Sequence, residues 1–455
     1  MEDIKRDIDM AKRLALAVSE KGGRAYFVGG YVRDLVRGGR LKDIDIEVHG
    51  IDRDSLFELL SHFGEVTEYG KSFGILGIAG YGIDIALPRG EKAVGSGHRD
   101  FEISLDENMG TYNASIRRDF TVNALMQDIL TGEITDHFGG LSDLKNGILR
   151  HVNSQSFAED PLRVLRGAQF ASRFNMQISE DTKELFGRID ISVLSRERVM
   201  EELLKALMSS EKPSVFFEVL RETDKLGDWF PELGALIGIE QNPVYHSEGD
   251  AWTHTMMVLD EAVKFKGMAE DERGFMLSAL CHDFGKAVST VVIDGVIHAY
   301  NHETEGLPLI EMFMKRLTNE KKLIDYVLNM CRYHMKPRVL AGAKSSFKST
   351  NKLFDASVDP KGLIYLSEAD SQGKIPKGDP KQLDFLLERL DVYKKLMDEP
   401  HVTGADLIAR GLKEGGELGE ALKYAHKLRL AMVPREETIK QVLGSTRLKV
   451  KGNKE

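Results

Sequence analysis

The sequence predicts an α+β protein, with a small mixed α/β head on a β-sheet followed by a long, all-helical body. Three observations carry that expectation. Short apolar strands alternate with glycine turns over residues 1–150. Strand signals then nearly vanish from about Ser156. From Asp160-Pro161 onward apolar residues recur at helical spacing, with Asp suited to cap a helix and Pro to open its first turn.

Taken in order, the first element is an amphipathic helix ending near Gly22-Gly23. Charges interrupt its apolar run and no small-residue cleavage site follows, so it reads as a helix and not as a secretion signal. Arg24–Val28 reads as a strand that runs into Gly29-Gly30 and a helix beginning near Tyr31. Asp43–Val48 alternates acid and apolar residues as a half-buried strand does. Phe73–Ile78 and Ile83–Leu87 read as two strands joined by the turn Ala79–Gly82, and Gly95–Gly97 with the polar stretch to Ser115 reads as a mobile loop. In the helical body, breaks are expected near Gln241–Asp250, Gly342–Asn351 and Gly373–Pro380.

A chain of 455 residues has room for two or more sizeable cores. No apolar run approaches the roughly 18 residues of a membrane helix, so no membrane partner is expected. Cys281 and Cys331 are the only cysteines and form no closely spaced pair. The expectation is a chain without disulfides in a reducing cytoplasm. With a net charge of −10, nucleic-acid binding would need locally concentrated basic groups. The stretch from Lys315 to Lys352 is one such concentration, although a solvated helical face explains it equally well.

The first chemical feature is Asp43-Ile44-Asp45. Residues two apart on a strand share a face, so both carboxylates point one way while Ile44 and Ile46 enter a core. Asp84 offers a third acid on the strand Ile83–Leu87. Three neighbouring carboxylates repel unless a hard divalent cation such as Mg²⁺ neutralises them, and together they suit two-metal phosphoryl transfer. Alone, the pattern fits a solvated edge strand just as well. The second feature is Gly29-Gly30-Tyr31-Val32-Arg33-Asp34, where paired glycines let backbone approach a ligand and a helix N-terminus presents N–H groups to phosphate.

These two features, followed by Arg117-Arg118-Asp119-Phe120-Thr121-Val122-Asn123-Ala124 and by Glu159-Asp160-Pro161-Leu162-Arg163, resemble the class II tRNA nucleotidyltransferase and bacterial poly(A) polymerase family. The resemblance implies catalytic Asp43, Asp45 and Asp84, with Mg²⁺ on Asp43 and Asp45. It implies nucleotide contacts from Gly29, Gly30, Arg33, Asp34, Arg118, Asp119, Asn123, Asp160, Arg163 and Arg166. Base recognition would fall to Glu159, Asp160 and Arg163, with Glu159, Arg163 and Arg166 on one helical face. Cytosine and adenine both show an amino donor beside a ring acceptor, which an Asp–Arg pair can read without a template. CTP and ATP, and a tRNA gripped at its acceptor and TΨC arms, are therefore the implied partners. One departure is Gln169, where family members commonly carry Arg, which puts one phosphate or sugar contact in question.

The third feature is His254, then His282-Asp283, then Asp370, all in helical segments. This order resembles the HD phosphohydrolases, where His302 and His334 fall at positions of further ligands or phosphate-contacting histidines. A mixed imidazole and carboxylate set suits Ni, Mn or Fe, or Mg²⁺. His246 reads as a loop or helix-capping residue. The resemblance implies a nucleotidyltransferase head over 1–150, a helical neck over 151–245, an HD domain over 246–375 and a tail over 376–455, where Val402–Ile408 also looks like the family. It leaves open full CCA addition, CC-only or A-only addition, poly(A) synthesis, or an HD phosphodiesterase carrying an RNA-binding head.

Overall fold

The computed structural model describes residues 2–39, 41, 43–69, 75–93, 101–398 and 401–452. Its packing divides into two compact units. The first comprises Met1–Glu202 with Val215–Lys225, and the second comprises Leu203–Ser214 with Leu226–Glu455. The first is mixed α/β and the second mostly helical, as the sequence predicts.

The first unit is organised by a seven-stranded sheet. Its strands are β1 (Arg24–Val28), β2 (Ile44–His49), β3 (Val66–Tyr69), β4 (Ile75–Ile78), β5 (Ile83–Ala86), then, beyond a separate hairpin of β6 (Arg89–Ala93) and β7 (Phe101–Leu105), β8 (Met126–Asp128) and β9 (Ile134–Thr135). The order across the sheet is β3-β4-β5-β2-β1-β8-β9. Only β2 and β5 run parallel; the other neighbours are antiparallel. On β2, Ile44, Ile46 and Val48 are buried and join Ile83 and Ile85 of β5 in one core. The helix Glu2–Glu20 covers that core with Met10, Ala11, Leu14, Ala15 and Val18. Apolar alternation on the strands thus turns the intervening acids to the opposite face.

The expected loop up to Ser115 is largely structured. The residues Phe101–Leu105 pair with Arg89–Ala93 as an antiparallel hairpin, and Gly110–Ile116 is a helix. The alternation Phe-Glu-Ile-Ser-Leu is a strand pattern that the surrounding glycines and polar residues mask. Gly95–Gly97 lies outside the described residues. A short parallel pair, β10 (Ile148–Leu149) with β11 (Gln177–Ile178), completes this unit's strands.

The second unit is built on the helices Ala251–Ala262, Glu272–Cys281, Lys321–Tyr333 and Pro360–Gln372, which pack together. Asp250, Asp271 and Asp359 cap three of them by accepting backbone N–H groups. This unit departs from an all-helical body at one hairpin, β12 (Thr290–Ile293) and β13 (Val296–Ala299). Asp294 and Gly295 between them both have positive φ, 52° and 77°. That is the geometry of a two-residue type I′ turn, for which Asp-Gly is a preferred pair. The expected break at Gly342–Asn351 is shorter than predicted, because the helix Phe347–Ala356 includes Asn351.

Cys281 and Cys331 are both free and buried. Among the described residues no helix is long and apolar enough to cross a membrane. Within the basic stretch, Arg316 is committed internally, donating to Glu232 at 2.6 and 2.7 Å.

Candidate functional site

In the first unit, strand register brings the acids together. Asp45 on β2 lies opposite Asp84 on β5, and the exposed Asp43 immediately precedes β2. Burial raises the Asp45 carboxyl above its ordinary pKa; Arg118 opposes the rise, while Asp84 and Asp43 add to it. Asp84 is raised by burial and by Asp43. The three carboxylates therefore share one field, and their oxygens suit a hard cation.

Gly29 borders this acidic group. Its backbone, at φ 65° and ψ −132°, lies in a region that effectively only glycine occupies. A Cβ there would stand 3.2 Å from Arg118 Nη1 and 3.6 Å from Asp45 Oδ2. The missing side chain at Gly29 thus lets the turn pack closely against one cation, Arg118, and one metal-competent acid, Asp45. Arg118 is steadied by a 3.2 Å hydrogen bond to Glu47 Oε2, while His49 meets Glu47 Oε1 at 2.9 Å. Sequence reasoning missed Glu47 and His49, although both sit on the strand that carries Asp45.

Arg33, expected at the nucleotide, is turned inward. Only 5% exposed, it donates to both oxygens of Asp34 at 2.8 and 3.0 Å and to Asn123 Oδ1 at 2.9 Å. Its guanidinium also stacks over Phe174, 4.3 Å from the ring centre. Asn123 in turn donates to Asp119 Oδ1 at 2.9 Å, and Asp119 Oδ2 accepts two bonds from Arg166 at 2.8 and 3.1 Å. One hydrogen-bonded chain, Asp34–Arg33–Asn123–Asp119–Arg166, therefore ties the glycine turn, the Arg-Arg-Asp run and the following helix together. Burial would raise Asp119, but Arg166 and Asn123 hold its carboxyl below the usual range. These residues support the site; their polar atoms are largely engaged within the protein.

The helix Leu162–Phe174 begins after Asp160, whose side chain accepts the backbone N–H of Leu162 at 3.2 Å. Glu159 lies outside it, at the end of the short helix Ser154–Ala158, so it does not share a helical face with Arg163 and Arg166. The Pro161 ring cannot donate the hydrogen bond that would join the two segments, and the helix restarts beyond it. Arg163 donates to the carbonyls of Ser156 and Arg117 at 2.7 and 2.8 Å. Asp160 pairs instead with Arg198, at 3.1 and 3.2 Å, a partner that sequence spacing gave no means of finding. Gln169 is buried, and its Nε2 has no hydrogen-bond partner.

In the second unit four histidines and two aspartates converge. His254 Nε2 is 3.1 Å from Asp370 Oδ1 and 3.4 Å from Asp283 Oδ2, and His282 Nε2 is 3.2 Å from Asp283 Oδ2. His302 Nε2 is 3.2 Å from Asp283 Oδ1, with His334 Nε2 at 3.9 Å. Every one of these side chains is buried. Burial penalises Asp283 and Asp370, yet the surrounding histidines, with Lys286 beside Asp283, hold both carboxyls far below the ordinary range.

Each ring is oriented from behind. The Nδ1 atoms of His282, His302 and His334 meet the carbonyls of Ala279, Ala299 and Cys331 at 2.9, 2.9 and 2.6 Å. His254 Nδ1 meets Glu248 Oε1 at 3.0 Å. The Nε2 atoms are left facing inward, the arrangement in which imidazoles ligate a metal. His254 Nε2 and His282 Nε2 are buried and face only the carboxylate oxygens of Asp370 and Asp283, so the donor set fits a cation. Lys286 Nζ lies 2.6 Å from Asp283 Oδ2 and donates to Gln241 Oε1 at 2.6 Å. His246 is not a cap: Asp250 caps the helix, and His246 meets Glu248 at 2.8 Å while its ring packs edge-on to His254. Glu248, Gln241 and Lys286 are the residues of this site that sequence reasoning left without a role.

Comparison with known proteins covers the head and the segment that follows it. A profile described as the Poly A polymerase head domain matches residues 25–150, and one described as the probable RNA and SrmB-binding site of polymerase A matches residues 175–236. Among solved structures, a CCA-adding enzyme in complex with ATP is similar over 97% of this chain and 96% of its own, at TM-score 0.69 and 22% identity. The Thermotoga maritima CCA-adding enzyme complexed with tRNA is similar over 96% and 95%, at TM-score 0.65 and 21% identity. These likenesses show the fold. The multifunctional CCA protein of Pasteurella multocida is 35% identical over 406 residues, which is 86% of this chain and 93% of that protein. At that identity and coverage, the chain belongs to the multifunctional CCA protein family.

Proposed function

We propose that the chain adds C and A nucleotides to the 3′ end of tRNA, using CTP and ATP and releasing pyrophosphate, in the cytoplasm. The observation that carries this reading is the pairing of Asp45 with Asp84 beside the Gly29 turn, with Arg118 against the same turn. Asp43 and Asp45, with Asp84 as third acid, would hold Mg²⁺. When bound, such ions lower the pKa of the tRNA 3′-hydroxyl and offset charge on the departing pyrophosphate. The chain's own groups then have distinct tasks. Gly29 and Gly30 let backbone approach the triphosphate. Arg118, packed against that turn, is the cation available to phosphate, and the Arg33–Asn123–Asp119–Arg166 chain fixes the relative position of the three motifs. Asp160 and Arg163 lie at the start of one helix as base-reading groups.

The second unit supports a metal-dependent phosphohydrolase of the HD type, because the inward Nε2 atoms and carboxylates of His254, His282, Asp283 and Asp370 fit a divalent transition metal. Residues 1–150 would then be the head, 151–245 the neck, 246–375 the HD domain and 376–455 the tail, the helical parts gripping the acceptor and TΨC arms by shape and backbone charge.

Incubating the protein with tRNA transcripts that end before CCA, after C and after CC, with CTP and ATP separately and together, tests the first reading. Incorporation that stops after three nucleotides is expected. Long A tails on unstructured RNA without use of CTP would move the chain to poly(A) synthesis, and addition of only CC or only A would narrow it.

A further inference from the structure

Two cations stand beside the buried cluster of the second unit without a bond of their own. Lys374 follows Asp370 by four residues, just past the helix Pro360–Gln372, and is only 7% exposed. Arg338 lies on the helix Lys336–Gly342, its Nη2 3.5 Å from where a Cβ on Gly378 would stand. Among the described residues, neither charged group makes a hydrogen bond or an ion pair.

The acids around them are committed elsewhere. Asp370 Oδ1 meets His254 Nε2 at 3.1 Å. Glu248 meets His254 and His246 at 3.0 and 2.8 Å and accepts the Ile375 N–H at 2.9 Å. Glu368, whose charge Arg338 also feels, accepts from Gln372 at 2.9 Å. Lys286 has what these two cations lack, a carboxylate oxygen of Asp283 at 2.6 Å. Burial, then Arg338, lowers the pKa of Lys374, and Asp370 and Glu248 offset this only in part. An enclosed ammonium beside a second cation is an unfavourable arrangement until an anion joins it.

The backbone holds Lys374 in place. A Cβ on Gly373 would stand 2.6 Å from Val258 Cα, so this turn packs directly on the helix that carries His254. Ile375 donates to Glu248 and accepts the Ser247 N–H at 2.8 Å, and Gly378 donates to the Ser371 carbonyl at 2.9 Å. Lys374 is therefore carried by a pinned turn, as a preorganised ligand contact requires. A guanidinium fork and an ammonium point charge are the two side-chain cations that suit phosphate oxygens.

We propose that Lys374 and Arg338 form an anion subsite beside Asp370, which holds a phosphate group of the substrate. The proposal rests on the phosphohydrolase reading of the neighbouring cluster. It supplies the substrate contacts that the His and Asp side chains, turned toward an ion, do not.

The test titrates inorganic phosphate, and separately a nucleoside 3′-monophosphate, into the Mn²⁺-loaded full-length chain by calorimetry. Arg118→Ala is present throughout, so that the cation of the head does not contribute. Lys374→Met, which keeps the buried stem, and Arg338→Met should each weaken phosphate binding about 10- to 100-fold. Bound Mn²⁺ should be unchanged, and Arg338→Lys should recover part of the loss. Lys374→Met removes an unpaired enclosed charge, so without ligand it should melt no lower than the parent. Phosphate should then raise the melting temperature of the parent more than that of the variant. Unchanged phosphate affinity in both Met variants overturns the proposal, as does a site that takes free phosphate but excludes the ester. Hydrolysis of a 2′,3′-cyclic nucleotide alongside unchanged affinity would refute the subsite and leave the phosphohydrolase reading standing. Affinity lost in both variants of a chain that hydrolyses nothing with any metal would keep the anion site and overturn that reading.

Discussion

Arg33 and Asn123, ninety residues apart in the chain, share a buried hydrogen bond of 2.9 Å that joins the glycine turn to the Arg-Arg-Asp run. Asn123 also donates to Asp119. Replacing Asn123 by Ala therefore strands a donor of Arg33 away from water, while Asp119 Oδ1 keeps the backbone N–H of Phe120 at 2.8 Å. An unsatisfied buried group costs about 1–3 kcal/mol, so a loss of that size is expected. Thermal unfolding followed by circular dichroism should show the first unit melting roughly 2–12 °C lower. An unchanged melting temperature would mean that the chain of bonds contributes nothing to holding the motifs together.

Asp45 and Asp84 should trade stability for activity. Both have raised carboxyl pKa values in the folded protein, caused first by burial and then by neighbouring acids. Their favourable contribution is full below the unfolded value of about 3.9 and is lost as pH rises through the raised folded values. At neutral pH the repulsion is fully expressed. Asp45→Asn should thus leave the metal-free protein at least as heat-stable as the parent at pH 7.5, while nucleotide addition falls by more than about 100-fold, because the metal's stabilisation of transition-state charge is worth several kcal/mol. Mg²⁺ should raise the parent's melting temperature and move the variant's less.

Arg198 is expected to govern base choice through Asp160. Arg198→Ala releases Asp160 from two hydrogen bonds and leaves Arg163 held by its two backbone carbonyls. A charged hydrogen bond is worth about 1.5–3 kcal/mol, so discrimination of CTP and ATP against UTP and GTP should drop by about one to two orders of magnitude. Single-nucleotide incorporation with each triphosphate measures it. Wild-type selectivity in this variant would separate Asp160 from base reading.

Glu248 should act on the histidine cluster without entering it. Burial would raise its pKa, but hydrogen bonds from His254, the Ile375 N–H and His246 hold it at about 2. Glu248→Gln keeps the shape but removes the charge that fixes His254 with Nε2 inward. Losing such an orienting partner costs about 10- to 100-fold in metal affinity, measurable by competition with a chelating dye. Nucleotide addition at the head should be unaffected. Unaltered affinity would reduce Glu248 to a loop clamp on Ile375.

Acid sensitivity of the first unit should trace to Asp119. Its folded pKa is depressed: burial works against this, but Arg166 and Asn123 more than compensate. A depressed carboxyl contributes stability above its unfolded pKa of about 3.9, and that stability is lost as pH falls through the lower folded value. Asp119→Asn should cost about 3 kcal/mol at neutral pH, near the low end for breaking a buried pair because the Arg166 side chain is 34% exposed. The gap between parent and variant should close as pH drops below about 4 in urea titrations.

Much of this architecture is legible in the chain because its signals are local. Ile44, Asp45 and Ile46 announce a strand with an acidic face, and the structure supplies only the parallel register that sets Asp45 against Asp84. The histidines are legible by type and order. Asp294-Gly295 was equally legible as a turn between apolar runs, but the helical sequence around it outweighed ten residues of hairpin. Glu159 misled because helical counting was carried across Pro161. Arg198, Glu47 and Glu248 could not be read at all. Their partners are set by tertiary packing, and no periodicity connects them.

The strand order has a consequence for synthesis. β1 pairs on one side with β2 and on the other with β8, and the residues that flank Phe27 across these pairings, Ile46 and Gln127, are about eighty residues apart. A ribosome adding roughly 5–20 residues per second leaves one edge of β1 open for roughly 4–16 seconds. Arg118 emerges late in that interval, well after Asp45 and Asp84. The nascent chain therefore carries its acids before their neutralising cation, and β1 gains its second neighbour only once β8 has emerged.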